Sequence, residues 1–561
     1  MKHQFKFYLF VLILLPFSLQ CQSEKKLASP TTAQIDAIFS AYDNPETPGA
    51  SIAVIHKGKV LFKKGYGSAN LEYDIPITPN TVFHVASVSK QFTAFAIMLL
   101  AEEGKLSLED DIRKHIPEVP DFGKKITLRH LASHTSGIRD QWELLILGGW
   151  RLDDVITIDH ILDMVSRQKE LNFTPGEKYM YSNTGFTLLA EVVSRVSGQS
   201  FARFTQMNIF EPLGMRDTQF YDDHEKIVKN RAYSYRPQRN GEILKAPLNY
   251  ANVGATSLFS TVEDIALWTD NLHNPKVGTR KLVNQMNTRT ILNSGESFGG
   301  GLGQFVNQYN GLSQVQHGGS DAGYRAFVSR FPDQDFSLVV LSNNGRFNPR
   351  RIAAEVTDLY LKPLYITPAP RAQNDAPKLT TLNQKQLSKH LGSYWNYLDA
   401  FATEIQLKDG TLFLARDGRP DKLGAISEDK FVVMNGRNNV FVEFPASLEK
   451  AQMTITIGEN APMKLEAYTP MIYPLKNVNE YEGNYFSPEL ETTYQLLVKD
   501  GKLVTHHQRL QSFTLSPIMK DKFDGNDWSF NHISFERDSR GKVTGFRISN
   551  GRVQNLLFVR Q

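Results

Sequence analysis

Val82-Phe83-His84-Val85-Ala86-Ser87-Val88-Ser89-Lys90 runs from an apolar approach straight into a helical pattern. Phe92, Phe95, Ile97, Met98 and Leu99 follow at helical spacing, and Gly104 stands where a helix C-terminus needs a cap. The pattern predicts a helix over residues 87–103. Ser87 opens it, and Lys90 falls on the same face, with Cβ atoms about 5–6 Å apart. A serine hydroxyl is a weak nucleophile and needs a nearby base. A lysine that is buried near other positive groups loses proton affinity and can exist as a neutral amine. A helix N-terminus also places the Ser87 N–H where it can stabilise an oxyanion. The spacing alone is not specific, since Ser-x-x-Lys recurs at Ser23/Lys26, Ser427/Lys430 and Ser447/Lys450. Those three lie in the N-terminal leader or in polar stretches and lack the apolar frame around Ser87.

Two further groups follow in order. Tyr181-Ser182-Asn183 comes after Thr174-Pro175-Gly176 and opens a second helical run (Phe186, Leu188, Leu189, Val192, Val193, Val196) that stops at Gly198. A phenol can relay a proton where nearby lysines favour the phenolate, and an Asn amide can hold both a lysine and a substrate carbonyl. Tyr-x-Asn also occurs at Tyr42/Asn44 and Tyr250/Asn252, without a tight turn leading into a helix. His317-Gly318-Gly319-Ser320 is the third group; its glycines beside a strand let a substrate backbone approach closely. There His317 either orients or polarises the tyrosine or binds the substrate.

Around these groups the 561 residues divide into segments. Lys2, His3 and Lys6 precede an apolar run from Tyr8 to Leu19, too short to span a bilayer and suited to a secretory leader over residues 1–25. The single cysteine, Cys21, follows it. It is either the acylated cysteine of a lipoprotein, which would attach the chain to a membrane, or part of a leader that is simply cleaved; the bulky Gln20 before it is a poor fit to lipidation. Either way export to the periplasm or cell envelope is expected, with no internal disulfide. Residues 30–365 mix helical runs with strand pairs, among them a hairpin from Ser51 to Tyr66 turning at Lys57-Gly58 and strands at Tyr324–Phe331 and Ser337–Ser342. Helices between early and late strands imply an α+β domain whose sheet joins both ends of the segment. Residues 366–377 are rich in Pro and polar side chains and read as a linker.

Residues 378–561 alternate in short β runs and contain a repeat. Gly392-Ser393-Tyr394-Trp395 matches Gly483-Asn484-Tyr485-Phe486, Lys408-Asp409-Gly410 matches Lys499-Asp500-Gly501, and Asp429-Lys430-Phe431 matches Asp521-Lys522-Phe523, at offsets of 91, 91 and 92 residues. Two all-β barrels or sandwiches in tandem are expected, over 378–475 and 476–561. Net charge is only +4 and dispersed, which argues against a nucleic-acid partner. A small molecule or short peptide is the expected substrate, with no cofactor. His130 and His134 are spaced for one helix face, but no Glu follows His130 and no third ligand is apparent, so packing or capping is expected rather than metal binding. Phe298-Gly299-Gly300-Gly301-Leu302-Gly303 lacks the strand and helix of a nucleotide loop and reads as a strand edge near the site.

Ser87/Lys90, Tyr181/Asn183 and His317/Gly319 together resemble the three motifs of the class C β-lactamase and penicillin-binding-protein-like serine hydrolases. Ile126–Leu131 with His134-Thr135-Ser136-Gly137, Phe210–Met215, and Leu258–Thr261 with Asp264 resemble the same family, so the likeness covers most of residues 30–350. It implies an antiparallel sheet flanked by helices, a helical insert with the site between, and acyl transfer through a Ser87 ester. It further implies an oxyanion hole from the Ser87 and Ser320 amides.

One position departs. Lys-Thr-Gly is usual at the third motif of the β-lactamases, and here it is His317-Gly318-Gly319. A permanent cation suits the carboxylate of a β-lactam or peptide C-terminus; a neutral histidine suits it less. The His-x-Gly form, with two barrels following, resembles the D-aminopeptidases and related D-amino-acid peptidases and esterases. Activity on D-amino-acid peptides or amides, or on small esters, is therefore expected, ahead of β-lactam hydrolysis or a low-turnover penicillin-binding role.

Overall fold

The computed structural model describes residues 26–366, 377–397, 401–416, 419–434, 440–445, 452–458, 462–525 and 529–561. The leader with Cys21, most of the linker, and Ser447/Lys450 lie outside the described residues.

Residues 30–365, the expected catalytic segment, are built on a six-stranded antiparallel sheet. Its order is Phe305–Tyr309, Leu312–Asp321, Tyr324–Phe331, Phe336–Ser342, Ala50–His56, Lys59–Tyr66. The first strand in sequence thus pairs with the last, with Ala53 opposite Val339, and the sheet closes the segment end to end. The expected hairpin turns at Lys57-Gly58, both with positive φ, the geometry that matches strand twist. Alternation decides the layers. Phe336, Leu338 and Val340 face one core with Ile35, Phe39, Ile352 and Val356 from the helices Thr32–Phe39 and Pro349–Leu361. Val339 and Leu341 face the other, larger core with the helices Ser89–Glu102, Asn183–Ser197 and Val262–His273. Every residue of Phe336–Ser342 is buried, as a strand covered on both faces requires.

The repeat folds as two closed eight-stranded antiparallel barrels. Their second hairpins turn at Asp409-Gly410 and Asp500-Gly501, all four residues at positive φ, which is why Asp-Gly recurs there. In each barrel a tyrosine hydroxyl donates back four residues, Tyr394 to His390 O (3.0 Å) and Tyr485 to Tyr481 O (2.8 Å). The barrels differ in how they pack. The first has a core of its own, centred on Ile405, Phe431 and Leu465. The second shares one continuous apolar core with the catalytic segment.

Polar contacts secure that junction. Arg139 is fully buried; its Nη1 donates to Glu489 Oε2 of the second barrel at 2.5 Å, and its Nη2 to Gln554 O at 2.8 Å. Tyr494 donates to Leu147 O at 3.0 Å. Removing one partner of a buried ion pair leaves an uncompensated charge, which costs about 3–5 kcal/mol. Glu489→Ala is expected to lower the urea midpoint accordingly, with Glu489→Gln losing less. Unchanged unfolding in both variants would show that the junction does not support the fold.

Candidate active site

The half of strand Leu312–Asp321 that runs past the edge strand Phe305–Tyr309, the turn before Ser89–Glu102 and the start of Asn183–Ser197 meet at one cleft of about 530 Å³. Ser87, Tyr181, Asn183, His317, Gly319 and Ser320 all line it. The three separated motifs therefore converge, and Lys90 sits directly behind Ser87.

Ser87 lies in a 3₁₀ turn, Ala86–Val88, that leads into the helix. Ala86 has φ +50°, a left-handed conformation that is costly for an L-residue. This strained turn brings Ser87 to the cleft surface, while Val85, Ala86 and Val88 are buried. Gly319 sits against it: a Cβ at Gly319 would lie 2.2 Å from Val85 O. Only glycine lets the His317 strand run this close to the nucleophile turn.

Lys90 is 0% exposed. Its Nζ lies 3.1 Å from Ser87 Oγ and donates to Asn183 Oδ1 (2.8 Å) and Ala255 O (2.7 Å). Burial pushes its pKa down to about 7, against the pull of Asp321 and Asp140. Asn183 is itself held: its backbone N and Nδ2 both donate to Asp140 Oδ2, at 2.7 and 2.8 Å. That pair of bonds points Oδ1 at the lysine.

Burial raises the Tyr181 pKa well above the ordinary phenol, and a hydrogen bond with Ser87 and the charge of Arg552 oppose it. The phenol ring stacks on His134 (centroids 4.1 Å, 25°) and lies 5.0 Å from Lys90 Nζ. His134 is buried and left-handed at φ +59°, and its Nδ1 accepts from Ser182 N at 3.1 Å. His130 caps its own helix, accepting at Nδ1 from Thr127 N. The two histidines thus do pack and cap, and they do so in different places.

His317 does not touch the tyrosine as an orienting partner. The rings are 6.4 Å apart, and His317 Nδ1 pairs with Gly318 O at 2.6 Å. Burial, Lys90 and Arg350 push its pKa down to about 3, so the ring is neutral. With Nδ1–H donating to a carbonyl, Nε2 is left as an acceptor; it is buried and has no protein partner. His134 orients Tyr181 instead.

The remaining candidates fall elsewhere. Lys430 pairs with Glu443 on the first barrel. Tyr250 packs on Trp142, and Asn44 caps Glu46 N. Residues 298–303 form a loop that pairs with the edge strand, Gly300 bridging Phe305 and Gly299 O accepting from Val306 N; Gly303 abuts Lys90 O, where a Cβ would come within 2.5 Å. Gly303 serves close packing on the nucleophile helix. Sequence reasoning missed Asp140, Asp321 and Arg552, and it placed His134 as a packing or capping residue without its contact to Tyr181. Asp321 accepts from Thr256 Oγ1, and burial raises its pKa to about 6. Arg325, Arg350 and Arg552 also line the cleft.

An antiparallel sheet with helices on both faces, and a serine, lysine and tyrosine meeting at its edge, define a serine hydrolase of the β-lactamase fold. The family model described as Beta-lactamase matches residues 35–361, more than half of the chain, and the chain belongs to that family. Protein flp of Staphylococcus aureus strain MRSA252 is 30% identical over 339 residues, 58% of this chain; the match spans 66% of that relative's length, just under two thirds. Penicillin-binding protein 4* of Bacillus subtilis is 26% identical over 69% of this chain and 87% of its own. The octameric penicillin-binding protein homologue from Pyrococcus abyssi is similar in structure, with a TM-score of 0.54 and 26% identity over 77% of this chain and 98% of that one.

Two outcomes follow for the site. Gly319→Ala is expected to push the strand from Ser87 and slow acylation about 10²-fold, the cost of roughly 1 Å of misplacement. A small change would mean that the turn yields. The rate at which a fluorophosphonate labels Ser87 is expected to fall as pH drops through about 7, because protonation of Lys90 removes the base. A rate flat from acid to neutral pH would remove Lys90 from that role.

Proposed function

We propose that this protein is an exported hydrolase that acts through a Ser87 acyl-enzyme on D-amino-acid peptides or amides, or on small esters. The seating of Lys90 carries the reading. A neutral amine has two N–H donors and one lone pair. Asn183 Oδ1 and Ala255 O accept the two donors, so the lone pair faces Ser87 Oγ at 3.1 Å.

Ser87 attacks the substrate carbonyl as its proton passes to Lys90. The amides of Ser87 and Ser320 hold the oxyanion. Tyr181 gives its phenol proton to the leaving group and is reprotonated from Lys90, and water then cleaves the ester. Neutral His317 contributes an acceptor, Nε2, that suits an N–H of the substrate rather than a carboxylate. Together with the resemblance of the His-x-Gly motif and the tandem barrels to D-aminopeptidases, this supports amides over β-lactams. The leader-like residues 1–25 support work in the cell envelope.

Ser87→Ala is expected to lower kcat by about 10⁴–10⁶-fold, as removal of the nucleophile from a cooperative unit does. Intact mass after fluorophosphonate treatment should show one adduct on the wild type and none on the variant. Wild-type turnover is then compared across D-alanyl amides, their L counterparts, short esters and a chromogenic cephalosporin. Fastest turnover of the cephalosporin would overturn the substrate ranking; full turnover by Ser87→Ala would overturn the mechanism.

A further inference from the structure

We propose that Arg552, carried by the loop between the last two strands of the second barrel, is a positioning residue of the acyl-transfer site: its guanidinium lies on Tyr181 and stabilises the phenolate that forms as Tyr181 gives its proton to the leaving group. The inference rests on the serine hydrolase reading above.

The loop is built into the site. Its strands are Val543–Ile548 and Leu556–Arg560. Arg552 N donates to Glu143 Oε2 at 2.8 Å, and Arg552 O accepts from Asn172 Nδ2 (2.8 Å) and Asp140 N (3.3 Å). Gln554 N donates to Asn172 Oδ1 at 2.8 Å, and Gln554 O accepts from Arg139. Within the loop, Asn550 Oδ1 accepts from the N–H groups of Arg552 and Val553. Main-chain bonds therefore fix the place of Arg552 and leave its side chain to reach the cleft.

That side chain ends 4.9 Å from the centroid of the Tyr181 ring. Its nearest carboxylate, Asp140 Oδ2, is 4.0 Å away and already accepts two hydrogen bonds from Asn183. The charged and titratable groups facing Tyr181 come from every side. Lys90 comes from the nucleophile helix, His134 from the turn stacked on the ring, His317 from the sheet, and Tyr179 and Asp140 from the adjoining loops. Both histidines are held neutral by burial, and Lys90 gives and takes a proton in the reaction. Arg552 is the permanent cation among these groups, and an ion over an aromatic face is favoured further when the ring becomes an anion. It also lowers the proton affinity of Lys90. Removing it raises the pKa of Lys90, so more of the enzyme carries a protonated lysine at neutral pH, and it leaves the Tyr181 phenolate less stabilised.

The test uses the full-length chain as wild type, R552K and R552Q, and follows the rate of Ser87 labelling by a fluorophosphonate from about pH 5 to 10. For R552Q the acidic limb is expected to move up by roughly half to one pH unit, with labelling at neutral pH about 5–10-fold slower and the deficit shrinking in alkali. R552K is expected to recover most of the rate and the wild-type limb. Should R552Q melt early, R552M, which keeps the aliphatic stem, takes its place. A uniform drop at all pH with the limb unmoved would make Arg552 a packing residue and overturn the proposal, as would equal defects in R552K and R552Q. Absence of labelling in the wild type would instead refute the serine hydrolase reading, and this one with it.

Discussion

The contact between Lys90 and Ser87 is the constraint that the rest of this structure serves. A lysine in water carries its proton at neutral pH and cannot act as a base. Here full burial disfavours the charge, while Asn183 and Ala255 supply just enough acceptors for a neutral amine. Burying such a group without these partners would cost several kcal/mol. The site is thus a polar network inside an apolar domain, and every member has to be held in place.

The holding runs outward in layers. Asp140 fixes Asn183 through two bonds, and Asp140 lies next to Arg139, which is locked to Glu489 and Gln554 of the second barrel. His134 stacks on Tyr181 and accepts from Ser182 N. Residues that never touch a substrate therefore set the angle of those that do. A shared apolar core makes the junction stiff, and burial on this scale is what one expects of a domain interface that does not move.

Much of this was legible in the sequence because the signals are local. Helix periodicity placed Ser87 and Lys90 on one face, and Asp-Gly turns at a fixed offset announced two barrels. The three motifs meet as expected, since each stands at the mouth of a regular element. What could not be read is what depends on long-range packing. Nothing around Asp140 marks it, because its partner is 43 residues away. His134 looked like half of a helical pair, but the helix ends at Ala132 and a left-handed residue swings it onto the tyrosine. His317 was open to either of two roles, serving the tyrosine or binding the substrate, and only the structure shows its own strand carbonyl capturing Nδ1. Arg552 sits in an ordinary polar loop; only the docking of the second barrel brings it to the cleft.

The neutral third motif then acquires a different meaning. Loss of a lysine there removes a fixed cation from the sheet edge, yet the cleft keeps Arg325 and Arg350 on its walls and gains Arg552 from outside the catalytic segment. A cation on the sheet would also stand close to Lys90, and like charges would compete for the same acceptors. Placing the charge over the Tyr181 ring, on a loop from the second barrel, separates the two tasks: the sheet offers an uncharged acceptor at His317, and the barrel offers the field. The first barrel repeats the fold but keeps a separate core, so duplication alone does not place a barrel at the site. The second barrel reaches it because its core merges with that of the catalytic segment, and that burial holds a short polar loop rigid enough to work at an active site.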